Sequence, residues 1–173
     1  EADGAIRLTR RLGVISQSGD EWVFQASQPS YTLPEGIVEM NVRLGDAAAL
    51  RGYTLTQTDT TLNVTLVWES LMPDATNYRH FIHLIDPATG EIVAQHDAMP
   101  VNNSYPTSQW TTGEIVTDAA AIPLENIPPG NYQLVTGLYF AAADGLFPRL
   151  PAQNLDGSLW PNQAIPLRPI IIP

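Results

Sequence analysis

Residues 62–68 of the chain are Leu62-Asn63-Val64-Thr65-Leu66-Val67-Trp68, and this stretch decides the fold. Its even-numbered positions are all large and apolar, whereas Asn63 and Thr65 between them are polar. Side chains along a β-strand point alternately to its two faces. The pattern therefore predicts a strand with one face in a core and the other in a wetter environment. Trp68 belongs to the core by the same alternation.

Other parts of the chain repeat this pattern. Residues 38–44 and 132–138 alternate in the same way, and residues 78–85 are apolar on both faces, which is typical of a central strand. Residues 86–91 carry the Asp, Pro and Gly of a hairpin loop. We therefore predict an all-β fold, a two-sheet antiparallel β-sandwich of the immunoglobulin-like or jelly-roll-like kind, with about nine to eleven strands. The side chains expected in its shared core are Leu62, Leu66, Trp68, Phe81, Leu134 and Leu138.

The domain organisation follows from where the alternation weakens. Residues 36–164 are predicted to form the sandwich. Residues 1–35 are expected to form an N-terminal hairpin or arm packed on it, with strands at 5–10 and 21–26. Residues 165–173 hold three prolines, which restrict them to an edge strand or an arm because proline cannot donate to an inner ladder.

Composition excludes several classes of function. The 173-residue chain has a net charge of −10, so nucleic-acid phosphate would be repelled. It has no cysteine, which excludes thiolate catalysis and zinc–sulfur sites. No apolar run approaches the roughly 20 residues of a membrane-spanning helix, so membrane association is expected only through a parent chain. No cofactor is expected.

Short motifs from residue 43 onward resemble one protein family. They are Leu44-Gly45-Asp46, Leu50-Arg51-Gly52-Tyr53, Leu66-Val67-Trp68, Phe81-Ile82-His83-Leu84-Ile85-Asp86, Ala94-Gln95-His96-Asp97, Tyr105-Pro106-Thr107-Ser108-Gln109-Trp110, Gly113-Glu114, Pro128-Pro129-Gly130-Asn131-Tyr132 and Gly137-Leu138-Tyr139. Their order over residues 43–151 resembles the C-terminal β-sandwich region of large bacterial membrane proteins of the mannosyltransferase-like glycosyltransferase class. The resemblance implies an extracytoplasmic sandwich, in the cell envelope or secreted, that follows membrane helices. It implies no active-site motif, because the helices carry the chemistry in that family.

The histidines suggest one candidate chemistry. Uniform pairing across the predicted hairpin places His83 opposite Ala94 and Phe81 opposite His96. His83 and His96 then lie diagonally on one face, where Asp118 would complete a metal site. The alternative is a buried, neutral histidine, and the apolar neighbours of His83 favour it. We therefore expect no metal.

A hydrolase would need two carboxylates that face each other across the scissile bond. The acidic residues at predicted strand ends are Glu69, Asp97, Glu114 and Asp118. We expect them to be solvated, as acidic side chains usually are, and we predict no catalytic residue. Asp86, Asp144 and Asp156 lie in turns, but they do not form the spaced pattern of a calcium-binding loop.

Aromatic residues in loops are the candidates for ligand binding. Tyr105, Trp110 and Tyr139 fall in or beside loops, where a sugar-binding module places its stacking rings. The alternative is that Trp110 and Tyr105 cap one end of the sandwich within the long segment 102–113. We expect this structural role for Trp110, and the exposure of its ring decides between the two.

These observations predict a non-catalytic accessory domain of a larger membrane-anchored or exported protein, with a glycan or cell-envelope polymer as its expected partner. Two alternatives stay open. One is a free-standing carbohydrate-binding module. The other is a structural or adhesive building block that assembles through exposed strands.

Overall fold

A computed structural model of the chain describes residues 13–18, 21–26, 28–72 and 75–173. Regular structure in these residues consists of β-strands and two short 3₁₀ turns, at Thr107–Gln109 and Pro161–Gln163. No helix within the described ranges has the length and apolar character needed to cross a membrane. The strands are β1 Gly13–Ser18, β2 Glu21–Ala26, β3 Val38–Leu44, β4 Ala48–Gln57, β5 Thr61–Ser70, β6 Arg79–Ile85, β7 Ile92–Ala98, β8 Ile115–Pro123, β9 Gly130–Tyr139, β10 Ala152–Gln153, β11 Ile165–Pro166 and β12 Ile170–Ile172. The predicted all-β class is confirmed.

β3 to β12 form two five-stranded antiparallel sheets. The first has the order β10-β3-β4-β5-β8, and the second has the order β11-β9-β6-β7 with β12 also paired to β9. The chain leaves the first sheet after β5, returns at β8 to pair with β5, and crosses again at β9 to pair with β6. This interleaved pairing of strands between two antiparallel sheets is that of the β-sandwich that the sequence predicted.

The core lies between the two sheets. The predicted core residues of β5 and β9 are fully buried there in one hydrophobic cluster; they are Leu62, Leu66, Trp68, Leu134 and Leu138. Burial of one such side chain is worth about 1.5–3 kcal/mol. β6 is an inner strand, buried on both faces from His80 to Leu84, as the sequence of residues 78–85 predicts.

A β-bulge in the β6–β7 hairpin changes the predicted register. The strands pair at Ile85 as expected, but the register then shifts by one residue. The predicted pairings of His83 with Ala94 and of Phe81 with His96 are therefore wrong, because one extra residue moves every later side chain to the other face. The observed pairs are His83 with Gln95, Phe81 with Asp97 and Ile82 with His96.

Phe81 is buried, but it does not lie in the shared core. It alternates with Ile82, which belongs to the cluster between the sheets, so its side chain points to the outer face of the second sheet. Its exposed fraction is nevertheless 1%. The sequence therefore predicted the burial of Phe81 correctly but assigned it to the wrong face of the sheet. The outer face of the second sheet contains a buried ring.

The segments that flank the sandwich are described in part. β2 has the predicted bounds and pairs with β1, whereas the strand expected at residues 5–10 lies outside the described residues. β11 and β12, in the proline-containing C-terminal segment, pair antiparallel with β9. They therefore cover the side of β9 that β6 leaves open.

Candidate functional site

The outer face of the second sheet carries an open groove of about 400 Å³. β6, β7 and β9 contribute its base, and the segment after β9 contributes one wall. Its lining residues are Phe81, His83, Gln95, Asp97, Tyr139, Phe147 and Arg149. Aromatic rings combined with a few convergent polar groups are typical of a small-ligand site.

The chain folds back on the end of β9, and this return brings three lining residues together. Gly145, at φ 82°, lies in the turn, and Asp144 accepts a hydrogen bond from the backbone amide two residues later. Tyr139 and Arg149 form an antiparallel bridge, so their side chains share a face. The ring of Phe147, which is 64% exposed, meets that of half-buried Tyr139 edge-on, with centroids 6.1 Å apart. The return therefore presents an aromatic pair next to a guanidinium.

Phe81 forms the floor of the groove. It lies across Gly137 of β9, where a Cβ atom would come within 2.6 Å of the ring, so this close approach requires glycine. The guanidinium carbon of Arg149 lies 4.1 Å from the Phe81 ring centroid, in a cation–π arrangement. Nη1 of Arg149 also donates to the carbonyl oxygen of Asn162 at 3.1 Å. The guanidinium is thus held from two sides.

The β7 side of the groove is polar. His83 Nε2 lies 3.3 Å from Asp97 Oδ2. Burial lowers the pKa of His83 below its ordinary value; Asp97 acts in the opposite direction, and Arg149 lowers the pKa further. His83 is therefore buried and neutral at neutral pH, as the sequence predicts, and Asp97 is an acceptor at the groove rim.

Tyr139 can both stack and donate. Burial raises the pKa of its phenol, and Asp97 adds to the effect, so the hydroxyl keeps its proton at neutral pH. An aromatic pair beside donors and acceptors can bind a molecule that has one apolar face and several hydroxyls. Of the three predicted stacking residues, Tyr139 is the one that the structure places in the groove.

Trp110 and Tyr105 lie elsewhere, at one end of the sandwich. They are 4% and 9% exposed. Trp110 Nε1 donates to the carbonyl oxygen of Tyr105 at 3.2 Å, and the Tyr105 hydroxyl donates to Glu114 Oε1 at 2.8 Å. The backbone amide and the hydroxyl of Thr111 donate to the other Glu114 oxygen. These two rings therefore offer no face to a ligand, and they take the structural position that the alternative interpretation expects.

A second polar cluster lies between the sheets. The rings of His80 and His96 stack with centroids 5.3 Å apart, and His80 Nδ1 lies 2.6 Å from Asp118 Oδ2. Asp118 also accepts from the backbone amide of Val101 at 2.8 Å. Val101 is a β-branched residue at φ 54°, a strained conformation that persists only when its surroundings impose it. Asp118 thus ties a strained loop to the core.

The arrangement of this cluster differs from the metal site considered above. His80 takes the place of His83, because the extra residue in β7 turns His96 to the inner face, whereas His83 lies on the outer face of β6. Stacked imidazoles do not direct their nitrogens to one point, and in residues 13–18, 21–26, 28–72 and 75–173 no three side chains are arranged to hold a metal ion. Asp86, Asp144 and Asp156 each accept a hydrogen bond from an amide of their own turn.

The expectation that the strand-end acids are solvated is wrong for Glu114 and Asp118. Both are buried, at 4% and 1% exposure, because each accepts hydrogen bonds from backbone amides in the loops beside it. Asp97 lies on the outer face, and Glu69 pairs with Arg51. The structure therefore does not bring the four carboxylates together.

The sequence interpretation missed Phe147 and Arg149. A signal for them exists in the Asp144-Gly145 turn. Tyr139 and Arg149 lie equally far on either side of Asp144, so a hairpin centred there pairs them. Phe147 precedes Arg149 by two residues and therefore shares its face.

Comparison with known proteins adds little. No protein-family model matches the sequence, and no curated protein matches it. A distant structural similarity exists to wild-type OgpA from Akkermansia muciniphila, with a TM-score of 0.34 and 16% sequence identity over 83% of this chain. The chain covers 34% of the OgpA chain.

Proposed function

We propose that this chain is a non-catalytic glycan-recognition domain and that the groove is its binding site. The observation that carries the proposal is the edge-to-face pair of Tyr139 and Phe147 beside a groove of about 400 Å³. A pyranose ring has an apolar C–H face that stacks on such rings. A pair of accessible rings fixed at an angle offers a sugar both a face and an edge.

The polar residues of the groove complement this platform. Sugar hydroxyls both donate and accept hydrogen bonds, so a site needs partners of both kinds. Asp97 and Gln95 supply acceptors on the β7 side, and Arg149 and Tyr139 supply donors on the β9 side. Each stacking ring contributes roughly 0.5–1.5 kcal/mol beyond area burial, so binding of one sugar unit is expected in the millimolar range.

A binding role fits this groove better than catalysis does. Glycoside hydrolysis uses a pair of carboxyl groups on either side of the bond, and among the residues that the structure describes Asp97 is the one carboxylate in the lining of the groove. The motif order over residues 43–151 supports an accessory domain of a larger extracytoplasmic protein. The parent gene tests this part of the proposal, because membrane helices encoded upstream would support an accessory domain and an isolated gene would favour a free-standing module.

Titration against a panel of oligosaccharides, followed by backbone amide NMR shifts, tests the binding itself. Saturable shifts are expected in β6, β7 and β9. Tyr139→Ala and Phe147→Ala should each weaken binding about 2–10-fold. Saturable binding that both variants leave unchanged would contradict the proposed site.

Tyr31→Ala is the matched control. Tyr31 is 61% exposed and lies outside the groove, so its removal deletes an accessible ring without touching the site. The control should bind like the unaltered protein. Equal losses in Tyr31→Ala and Phe147→Ala would indicate non-specific stacking on any exposed ring.

A further inference from the structure

We infer that the groove selects an anionic sugar, one that carries a carboxylate or a sulfate ester, and that Arg149 binds the anionic group. This inference rests on the proposed glycan-binding function. It assigns the charge of the ligand, whereas the aromatic pair accounts only for its shape.

The contacts of Arg149 prepare it for an anion. Its guanidinium is fixed by a neutral ring and a neutral carbonyl, those of Phe81 and Asn162. Within the part of the chain that the structure describes, the arginine–carboxylate pairs are Arg43 with Asp46 and Arg51 with Glu69. Arg149 is therefore held in place without being neutralised. A planar guanidinium presents its N–H groups as a fork that matches carboxylate and sulfate oxygens.

The charge of the groove contrasts with that of the whole chain. The chain has 18 acidic residues against 8 basic ones, yet the described lining of the groove contains one arginine, Arg149, and one carboxylate, Asp97. Arg79, opposite Tyr139 in the β6–β9 pairing, adds a second guanidinium near the aromatic pair. Asp97 contacts His83, and among the residues that the structure describes no carboxylate lies within ion-pair distance of Arg149. A fixed cation on an acidic domain attracts anions to one place.

The position of Arg149 also suits a substituent of a stacked sugar. The bridge between Tyr139 and Arg149 puts the guanidinium on the same face as the stacking rings. A pyranose stacked on the aromatic pair therefore has the guanidinium beside it, where an acidic group on the ring can meet it. Neutral hydroxyls can accept from the same N–H groups, but these hydrogen bonds are weaker than those to an ionised group.

Two matched pairs of ligands test this inference. The first pair is trigalacturonate and its fully methyl-esterified form, and the second is a sulfated galactan oligosaccharide and its desulfated form. Calorimetric or NMR titration should show that the anionic member of at least one pair binds about tenfold or more tightly than its neutral partner. The preference should shrink as salt is added. Comparison of the two pairs identifies which anionic group is selected.

Substitutions of arginine test whether the preference for the anionic ligand depends on Arg149. Arg149→Gln should abolish the discrimination between the anionic and neutral members, and Arg149→Lys should retain part of it, since charge persists without the fork. Arg168→Gln is the control: this exposed arginine lies outside the groove lining, and its loss changes net charge equally. It should leave the preference intact.

The outcomes separate the inference from the function on which it rests. If neutral and anionic forms bind alike, or if Arg149→Gln keeps the preference, the anion inference fails and the proposed function stands. If no oligosaccharide binds the unaltered protein, the proposed function itself fails. If Arg149→Gln does not fold, the unaltered protein decides: a tenfold preference that falls with salt supports the inference, and a ratio near one overturns it.

Discussion

Two aromatic regions of this molecule have similar residues and opposite exposures. One is the end cap, formed by Tyr105, Trp110 and Glu114, and the other is the groove on the outer face of the second sheet. Both place rings in segments that connect strands. In the end cap the rings are 4% and 9% exposed, whereas Phe147 in the groove is 64% exposed. Residue type and position in a loop therefore do not decide whether an aromatic residue is structural or available to a ligand.

The difference lies in the partners of the polar atoms. In the end cap, the indole N–H and the phenol hydroxyl both donate to groups within the same loop, and Glu114 is the central acceptor. A ring whose polar atom is satisfied internally can be buried at little cost. Phe147 has no polar atom that needs a partner, and the short return after β9 leaves it at the surface. The end-cap loop closes over its rings because Glu114 accepts from the phenol hydroxyl, whereas Asp144 in the return after β9 accepts from a backbone amide and leaves Phe147 at the surface.

The largest expected effect is in the end cap. Trp110→Ala should lower the free energy of unfolding by about 3–5 kcal/mol, because a buried ring and its hydrogen bond are both lost. Chemical denaturation measures this, and ligand affinity of the folded fraction should not change. Tyr31→Ala, at an exposed ring, is the control and should stay within about 0.5 kcal/mol. A Trp110→Ala protein of unaltered stability would remove the contrast between the two regions.

Gly137→Ala should displace the Phe81 ring that forms the floor of the groove. The added Cβ would lie 2.6 Å from the Phe81 ring and 2.9 Å from the carbonyl oxygen of Gln163, so the ring has to move. We expect a loss of about 1–3 kcal/mol in stability together with weaker ligand binding. Gln133→Ala, an exposed position on the same strand, should change neither quantity. Stability and binding that both survive Gly137→Ala would show that the floor is not tightly packed.

Acid should destabilise the fold before the carboxylates titrate. Burial lowers the pKa of His83 and of His96 below the ordinary value of 6.5, and His80 lowers that of His96 further. The stability from these groups is complete above pH 6.5 and is lost as pH falls below it, because the unfolded chain then binds protons that the folded chain does not. The slope for one histidine is at most about 1.4 kcal/mol per pH unit.

Denaturation curves between about pH 7 and pH 5, above the usual range of carboxyl groups, measure this slope. His83→Gln tests the groove and His96→Gln tests the interior cluster, and each should flatten the dependence in part. A stability that rises on acidification through this range would mean that Asp97 or Asp118 outweighs burial and keeps a histidine protonated.

Phe147→Ala should have the smallest effect on the fold. Because the ring is 64% exposed, the free energy of unfolding should change by less than about 0.5 kcal/mol, while glycan affinity falls about 2–10-fold. Thermal denaturation and titration of the same sample measure both. A large loss of stability would place Phe147 with the end cap residues and leave the groove without a separate binding role.

The sequence by itself determined the class of the fold and much of its core. Alternation from Leu62 to Trp68 identified the buried face of β5, and the apolar run at residues 78–85 identified an inner strand. These predictions succeed because the two-residue period of a strand is a local property, fixed by backbone geometry and by the requirement to bury one face. The buried state of His83 followed from the same neighbours.

Only the tertiary structure decided which residues share a face across strands. β6 is apolar on both faces, and only the packing of the two sheets decided that Ile82 rather than Phe81 faces the core. One bulged residue in β7 turned His96 to the inner face, where it meets His80 and Asp118 rather than His83. The return of the chain after β9 is likewise a tertiary feature, and it sets Arg149 and Phe147 beside Tyr139. Register depends on where two strands meet, and a shift of one residue exchanges the faces of all that follow. A local pattern therefore predicts that a residue is buried, whereas the pairing between distant segments decides which residues become its neighbours.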